Sequence, residues 1–380
     1  MHLRGWRLFR GRIWCRMGTP MVPGRLLART LLGSGSVRGV NVRTSHSVNG
    51  GTLLERAPPS RASVSAVRGG AAYGAKEQLT SFAVVITSYN YREFVVEAVE
   101  SALAQTRRAA QVIVVDDGSS DGSDALLRDR YGADSRVVLI SGINGGQLSA
   151  FQRGVNAVRA QVVCFLDSDD RWGPEYLARL GELYDAREDI DFVFSDMRQF
   201  GQQDRAMKFH DRAVDLGYTA ISAYVLTQWY GAPTSALSMR TPWARQALDL
   251  PDSFRRTWRL SADNCLVFGC SVLGAHKYYL PTGCVDYRIH GRNGWWSNRS
   301  PRIEYLNKMS SSALIRHYAD RVGMGPECIE FSKLEFMTKP NPTWSETKRY
   351  AKLVMMRRVA PWRKWERALN ILRRGWKLRG

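Results

Sequence analysis

From Phe82 onward, short apolar runs alternate with segments whose apolar residues recur at helical spacing, the pattern of a parallel sheet covered by helices. FAVVIT (82–87), QVIVVD (111–116), RVVLI (136–140), VVCFL (162–166) and DFVFS (191–195) are β-branched or aromatic runs of buried-strand length. Between them, Val95, Val96, Val99, Ala102 and Leu103 make one helical face, and Leu148, Phe151, Val155 and Val158 make another. The pattern predicts a doubly wound α/β domain. Beyond about residue 200 the alternation loosens, yet SALSM (235–239), a helix around Asp263 to Val272 and the strand VDYRIH (285–290) still read as folded, so one catalytic-size domain is placed at 79–300.

The flanks read differently. Residues 1–78 mix Arg, Ser, Gly and Pro without a sustained period, which predicts a basic, disordered extension. An organellar transit peptide, or translation from Met17 or Met21, are the alternatives; no apolar h-region follows the early arginines, which disfavours a secretory signal. Residues 301–380 read as a helical, basic region. Behind Pro361, residues Trp362, Trp365, Leu369, Leu372 and Trp376 fall on one helical stripe, with Arg363, Lys364, Arg367 and Arg374 off it. Such a helix either lies in the headgroups of an anionic membrane, through residues 341–380, or packs on the domain. No run of 18 apolar residues occurs, which argues against an integral membrane protein; a cytoplasmic location, peripheral at the inner face of the cell membrane, is expected.

Composition changes this picture in one respect. The chain has 380 residues, 44% hydrophobic and 24% charged, enough for a full core and incompatible with wholesale disorder. Its net charge of +20 suggests a nucleic-acid binder until it is divided along the chain. Residues 1–80 hold 13 bases and two acids, and 341–380 hold 12 and two, which leaves 30 bases against 31 acids in the middle. The basicity belongs to the tails, and no specific nucleic acid is expected as a partner. Six cysteines without a C-x-x-C pair indicate neither a disulfide framework nor a zinc knuckle.

Polar residues collect just after the carboxyl ends of the strands, where open parallel sheets bind ligands. The first strand runs into Thr87-Ser88-Tyr89-Asn90, the second into Asp116-Asp117-Gly118-Ser119-Ser120-Asp121-Gly122, and the fourth into Asp167-Ser168-Asp169-Asp170. Carboxylates crowded in a D-x-D repel one another, and a hard divalent cation shared with phosphate oxygens relieves them. Asp capping of the following helix is the bland alternative. An acid at a strand mouth also accepts from a ribose hydroxyl or a base imide.

In this order and spacing the segments VVITSYN, VDDGSSDG (115–122), FLDSDD and Tyr287-Arg288-x-His290 resemble the family 2 glycosyltransferases, over most of 82–292. The resemblance implies a GT-A fold, a nucleotide-diphosphate-sugar donor, Mg²⁺ or Mn²⁺, and inverting transfer of a single sugar to a glycan or lipid-linked acceptor, as in cell-surface polysaccharide biosynthesis. It implies that Thr87, Tyr89, Asp116 and Asp117 hold the nucleotide, Asp167 with Ser168 the ribose side of the donor, and Asp169 the metal. His290, just past the strand VDYRI, is a candidate for a further metal ligand or a diphosphate contact, with a plain polar loop residue as the alternative. Asp263, at the start of a downstream helix, is the implied general base, and N-capping by Ser261 or Asp263 is its alternative. Where many members place Arg-Asn this chain has Phe151 and Gln152, so Gln147 or the metal stands in for the phosphate contact, and Arg153 is one residue out of register. Arg288 and Arg292 are candidates to offset leaving-group charge. A processive synthase would add membrane spans and a Q-x-x-R-W motif, and the chain has neither. A catalytically silent nucleotide-sugar binder at a membrane, and a nucleic-acid binder acting through the basic ends, are the readings from other classes.

Overall fold

The computed structural model describes residues 79–294 and 300–378; the extension expected over 1–78 lies outside the described residues. Strands β1 (Phe82–Ser88), β2 (Gln111–Asp116), β3 (Val137–Ser141) and β4 (Val162–Asp167) lie side by side in the order β3-β2-β1-β4, all parallel. β1 is buried along its whole length, which is why it reads as an unbroken apolar run. α1 (Val95–Leu103), α2 (Ser123–Tyr131) and α3 (Gln147–Asn156) connect them. Both predicted helical faces reach the core: Val95, Val99 and Ala102 are buried, as are Leu148, Phe151 and Val155, and Val158 is buried just past the end of α3.

Beyond β4 the sheet is mixed rather than parallel. β6 (Phe192–Ser195), β9 (Val214–Gly217), β10 (Leu237–Arg240) and β11 (Lys277–Leu280) extend it in the order β4-β10-β6-β11-β9, with β10 antiparallel to both its neighbours. The reason is local. A 3₁₀ turn at Thr234–Ala236 sits at the carboxyl end of β4, where Ser235 Oγ accepts from Asp167 N at 3.0 Å, so the chain enters β10 from that end and runs back. A second sheet, β5 (Arg171–Trp172), β12 (Val285–Ile289), β7 (Met197–Gly201) and β8 (Arg205–Met207), flanks the same end. α4 (Tyr176–Ala186), α5 (Ala220–Leu226), α6 (Thr241–Leu248), α7 (Asp252–Thr257) and α8 (Asp263–Leu273) complete the α/β body. Lys277 is wholly buried on β11; its ammonium donates to Tyr230 O (2.9 Å) and Val267 O (2.8 Å) and lies 4.0 Å from the Phe192 ring centroid.

The helices after residue 300 fold against this body: α9 (Pro301–Arg321), α10 (Ser332–Met337), α11 (Trp344–Met355) and α12 (Pro361–Lys377). α9 lies along α8, with Tyr318 Oη donating to the carbonyls of Ala247 and Cys265. Buried Glu335 on α10 accepts from Ile221 N (2.7 Å) and Ser222 N (3.1 Å) in the first turn of α5, and from Tyr350 Oη (2.6 Å) on α11. Two otherwise unsatisfied helix-start donors are thereby paired by a side chain from a distant segment, which fixes the C-terminal helices in place. α12 does pack on α11, through Ala368, Ile371 and Gly375, joined by half-buried Leu372 from the edge of the tryptophan stripe, while Trp362, Trp365 and Trp376 stay exposed. A Cβ at Gly375 would collide with the Thr347 side chain, so only glycine permits this approach.

Candidate active site

Parallel pairing brings the three polar loops to one edge. Thr87 stands abreast of Asp167 on one side and Val115 on the other, and Ser88 abreast of Asp116. A cavity of about 950 Å³ opens there, and eight of the ten predicted site residues line it: Thr87, Tyr89, Asp117, Gln147, Asp167, Ser168, Asp169 and Asp263. Asp116 and His290 stand behind its wall.

Asp116 is buried, and its Oδ1 accepts from Gly118 N (3.1 Å) and Ser119 N (2.8 Å), closing the turn after β2; its Oδ2 is buried without a hydrogen-bond partner. Asp117 holds the neighbouring loop, accepting from Gly145 N at 3.0 Å and Gly146 N at 2.7 Å. Arg153 pairs with this same carboxylate. Phe151, where many family members have arginine, is fully buried with its ring centroid 5.0 Å from that of Phe165, and so belongs to the core. Nor is Gln147 a free ligand: Nε2 donates to Asp167 Oδ1 (3.1 Å) and Oε1 accepts from Ala262 N (2.9 Å). It thus ties the D-x-D carboxylate to the loop that carries Asp263. Trp258 O and Arg259 O take the first amides of α3, Leu148 N and Gln147 N, so this helix start is closed by the chain itself. Gly146, at φ +84°, lets that loop approach; a Cβ would meet Arg259 Cα at 2.7 Å.

The D-x-D loop divides its labour. Asp170 is structural: Oδ1 accepts from Arg288 N (2.7 Å) and Oδ2 from Ser235 Oγ (2.5 Å). Asp169 Oδ2 meets His290 Nε2 at 3.0 Å and accepts from Asn293 Nδ2 at 3.3 Å. The His290 ring packs on Tyr91 and Phe94, with centroids at 5.5 and 4.9 Å. Burial raises the Asp167 carboxyl well above the usual carboxylate range, and the charges of Asp169 and Asp263 raise it further. Burial likewise lifts Tyr91, helped by Asp169 and Asp167. Asp263 is the first residue of α8, whose cap receives no side-chain hydrogen bond. Its Oδ1 accepts only from its neighbour Asn264, through N at 2.9 Å and Nδ2 at 3.4 Å, and burial pushes its carboxyl up to about 6. The capping alternative is therefore not realised. Backbone strain gathers at this edge: the non-glycine residues with positive φ among the described residues are Asn90, Thr227 and Ser261, two of them in the cavity wall and Asn90 between wall residues Tyr89 and Tyr91.

The chain is similar in sequence to known proteins. The profile of Glycosyl transferase family 2 matches residues 83–239. An uncharacterised glycosyltransferase of Nostoc sp. is 32% identical over 254 residues, covering 64% of this chain and 76% of that protein. The chain belongs to glycosyl transferase family 2. The succinoglycan biosynthesis protein ExoO of Rhizobium meliloti is 34% identical over 249 residues, 62% of this chain and 68% of ExoO. Among solved structures, residues 1–349 of S. aureus TarS align with 13% identity and a TM-score of 0.46, over 78% of this chain and 72% of that one. The parallel β3-β2-β1-β4 edge with its helices is the α/β half expected of a GT-A fold, and the family match ends before Asp263 and His290.

Several wall residues carry no signal in the sequence. Arg259 lines the cavity with its guanidinium donating to Asn144 Oδ1, Arg288 donates to Asp169 O and pairs with Glu97, and Arg292 pairs with Glu93. The two arginines expected to offset leaving-group charge are therefore engaged. Trp229, Asn293 and, from α9, Asn307 and Lys308 also contribute. None of them stands in a motif that the sequence singles out. Among the described residues, no group of three or more His, Cys, Asp or Glu side chains is placed to hold a metal ion.

Proposed function

We propose that this member of family 2 is an inverting glycosyltransferase that moves one sugar from a nucleotide-diphosphate-sugar to a hydroxyl of a glycan or lipid-linked acceptor. One observation carries the reading: Asp167, Asp169 and Asp263, from two distant segments, converge on one cavity, where burial lifts the Asp263 carboxyl to about 6. A carboxylate so placed is poised for proton transfer near neutral pH.

Thr87, Tyr89, Asp117, Asp167 and Ser168 would bind the nucleoside and ribose, with Asp116 shaping the loop beneath them. Arg259 offers its cation to the diphosphate, the place held in many members by the arginine that Phe151 replaces here. Asp169 Oδ2 and His290 Nε2, 3.0 Å apart, supply two donors to a divalent ion, whose remaining positions water and substrate phosphates would fill, since no three such side chains among the described residues gather into a site by themselves. Asp169 and His290 would hold it, and when bound it neutralises negative charge on the departing diphosphate. The chain's own residues do the rest. Asp263 takes the acceptor hydroxyl proton; the oxygen forms its bond to the anomeric carbon as the bond from that carbon to the β-phosphate oxygen breaks, and the electron pair leaves with the nucleoside diphosphate. A single in-line displacement inverts the anomeric centre. Gln147 acts through Asp167 and Ala262 as a positioning residue.

The test is a panel of nucleotide sugars with Mn²⁺, read by nucleoside-diphosphate release and by NMR of the product anomer. Release with inversion supports the reading; retention of configuration, or no turnover with any donor, overturns it.

A further inference from the structure

α12 buries one apolar stripe and leaves a second largely exposed, with Leu372 at the seam half-buried against the α11 cluster. Ala368, Ile371 and Gly375 are buried against α11, whereas Trp362 is 63% exposed, Trp365 61%, Leu369 46% and Trp376 67%. Large aromatic side chains displayed together on a helix already fixed by its other face need an explanation beyond packing. The next helix to α12, α10, adds exposed Leu334 and Met337. Charge selects the occupant. Residues 341–380 hold 12 bases against two acids, and on α12 itself Arg363, Arg373 and Lys377 are exposed. A second copy would bring the same positive charge to the interface and be repelled, whereas an anionic bilayer complements it. Tryptophan suits that boundary because its ring is apolar while its N–H stays hydrated.

We propose that the tryptophan stripe of α12 seats this protein on the surface of an anionic phospholipid bilayer, with Trp362, Trp365 and Leu369 in the headgroup layer and the flanking arginines on lipid phosphates. The helix lies on the membrane and does not cross it; among the described residues no helix is long and apolar enough to span. Because α11 and α10 hold α12 rigidly, docking orders no new segment.

The full chain is floated with vesicles of phosphatidylcholine alone and with roughly one third phosphatidylglycerol. Wild type should float with the anionic vesicles. Trp362→Ala/Trp365→Ala, which removes only exposed side chains, should lose at least about tenfold in partitioning with unchanged melting temperature and unchanged turnover of a soluble nucleotide sugar. Arg363→Glu/Arg373→Glu, with both tryptophans intact, should lose the preference for phosphatidylglycerol. Equal flotation of wild type and the tryptophan variant overturns the proposal and assigns binding to another basic segment. Absence of flotation on both compositions overturns it too, as does a wild-type dimer in sedimentation that the tryptophan variant dissolves. Flotation, melting and sedimentation do not depend on sugar transfer, and turnover serves only as a control, so the proposal fails or stands apart from the enzymatic one.

Discussion

Asp263→Asn separates catalysis from stability. In the wild type, burial lifts this carboxyl from 3.8 to about 6, and a shift of that size corresponds to about 3 kcal/mol of penalty for holding the ionised form in the folded protein. The residue is half-buried and lines the cavity, so water screens part of it and about 1–2 kcal/mol remains. The sign follows from proton counting. Between about pH 4 and pH 6 the folded state holds the proton that the unfolded state has lost, so wild-type stability falls as pH rises through that window. The amide has the same shape, keeps the contact with Asn264 N, and does not titrate. The Asp263→Asn variant should match wild type in urea below about pH 4, and above pH 6 it should be more stable by about 1–2 kcal/mol. Transfer should fall by about 10²–10⁴-fold while donor binding is kept. Wild-type turnover should climb about tenfold per pH unit up to about 6 and then level off. A variant that transfers at more than about a tenth of the wild-type rate, or one with no stability gain at pH 8, refutes the reasoning.

Asp169→Asn should lower Mn²⁺-supported turnover by about 100-fold or more with the melting temperature unchanged, since Asn can still meet His290 and Asn293; undiminished metal-dependent turnover removes the metal assignment. Gly146→Ala forces a Cβ against Arg259 Cα in a left-handed backbone and should cost about 2 kcal/mol or more in urea, with weaker donor binding by calorimetry. Burial lowers the Lys277 ammonium to about 7; the unfolded chain therefore holds the extra proton between pH 7 and about 10, and stability should rise with pH there by on the order of 3 kcal/mol. Lys277→Met should abolish that rise in denaturation midpoints measured across the window.

What the sequence made legible follows from burial. Strands β1, β2 and β4 lie in the middle of the sheet, so their runs are continuous and their carboxyl ends are unambiguous; parallel register then carries Thr87, Asp116 and Asp167 to one edge. β10 is visible in the sequence as a folded run but not as antiparallel, because its direction depends on a bond between Ser235 and a residue 68 positions away. His290 stands out by its motif, yet its place behind Asp169 depends on packing against Tyr91 and Phe94. Arg259 and α9 leave no signal, since a polar residue in a cavity wall and one in open solvent look alike in a single sequence. On α12 the tryptophan spacing reveals a stripe, but which stripe faces the protein is decided by the small size of Gly375.

The central claim is that Asp167 and Asp169 form an open, metal-assisted seat for an activated sugar. Calorimetric titration of nucleoside diphosphates and their sugars into wild type and Asp169→Asn protein, with and without Mn²⁺, tests it most directly. Affinity that rises at least about tenfold with Mn²⁺ in wild type and does not change in the variant is the predicted result. Binding of every donor with the same affinity whether or not the ion is present would contradict it.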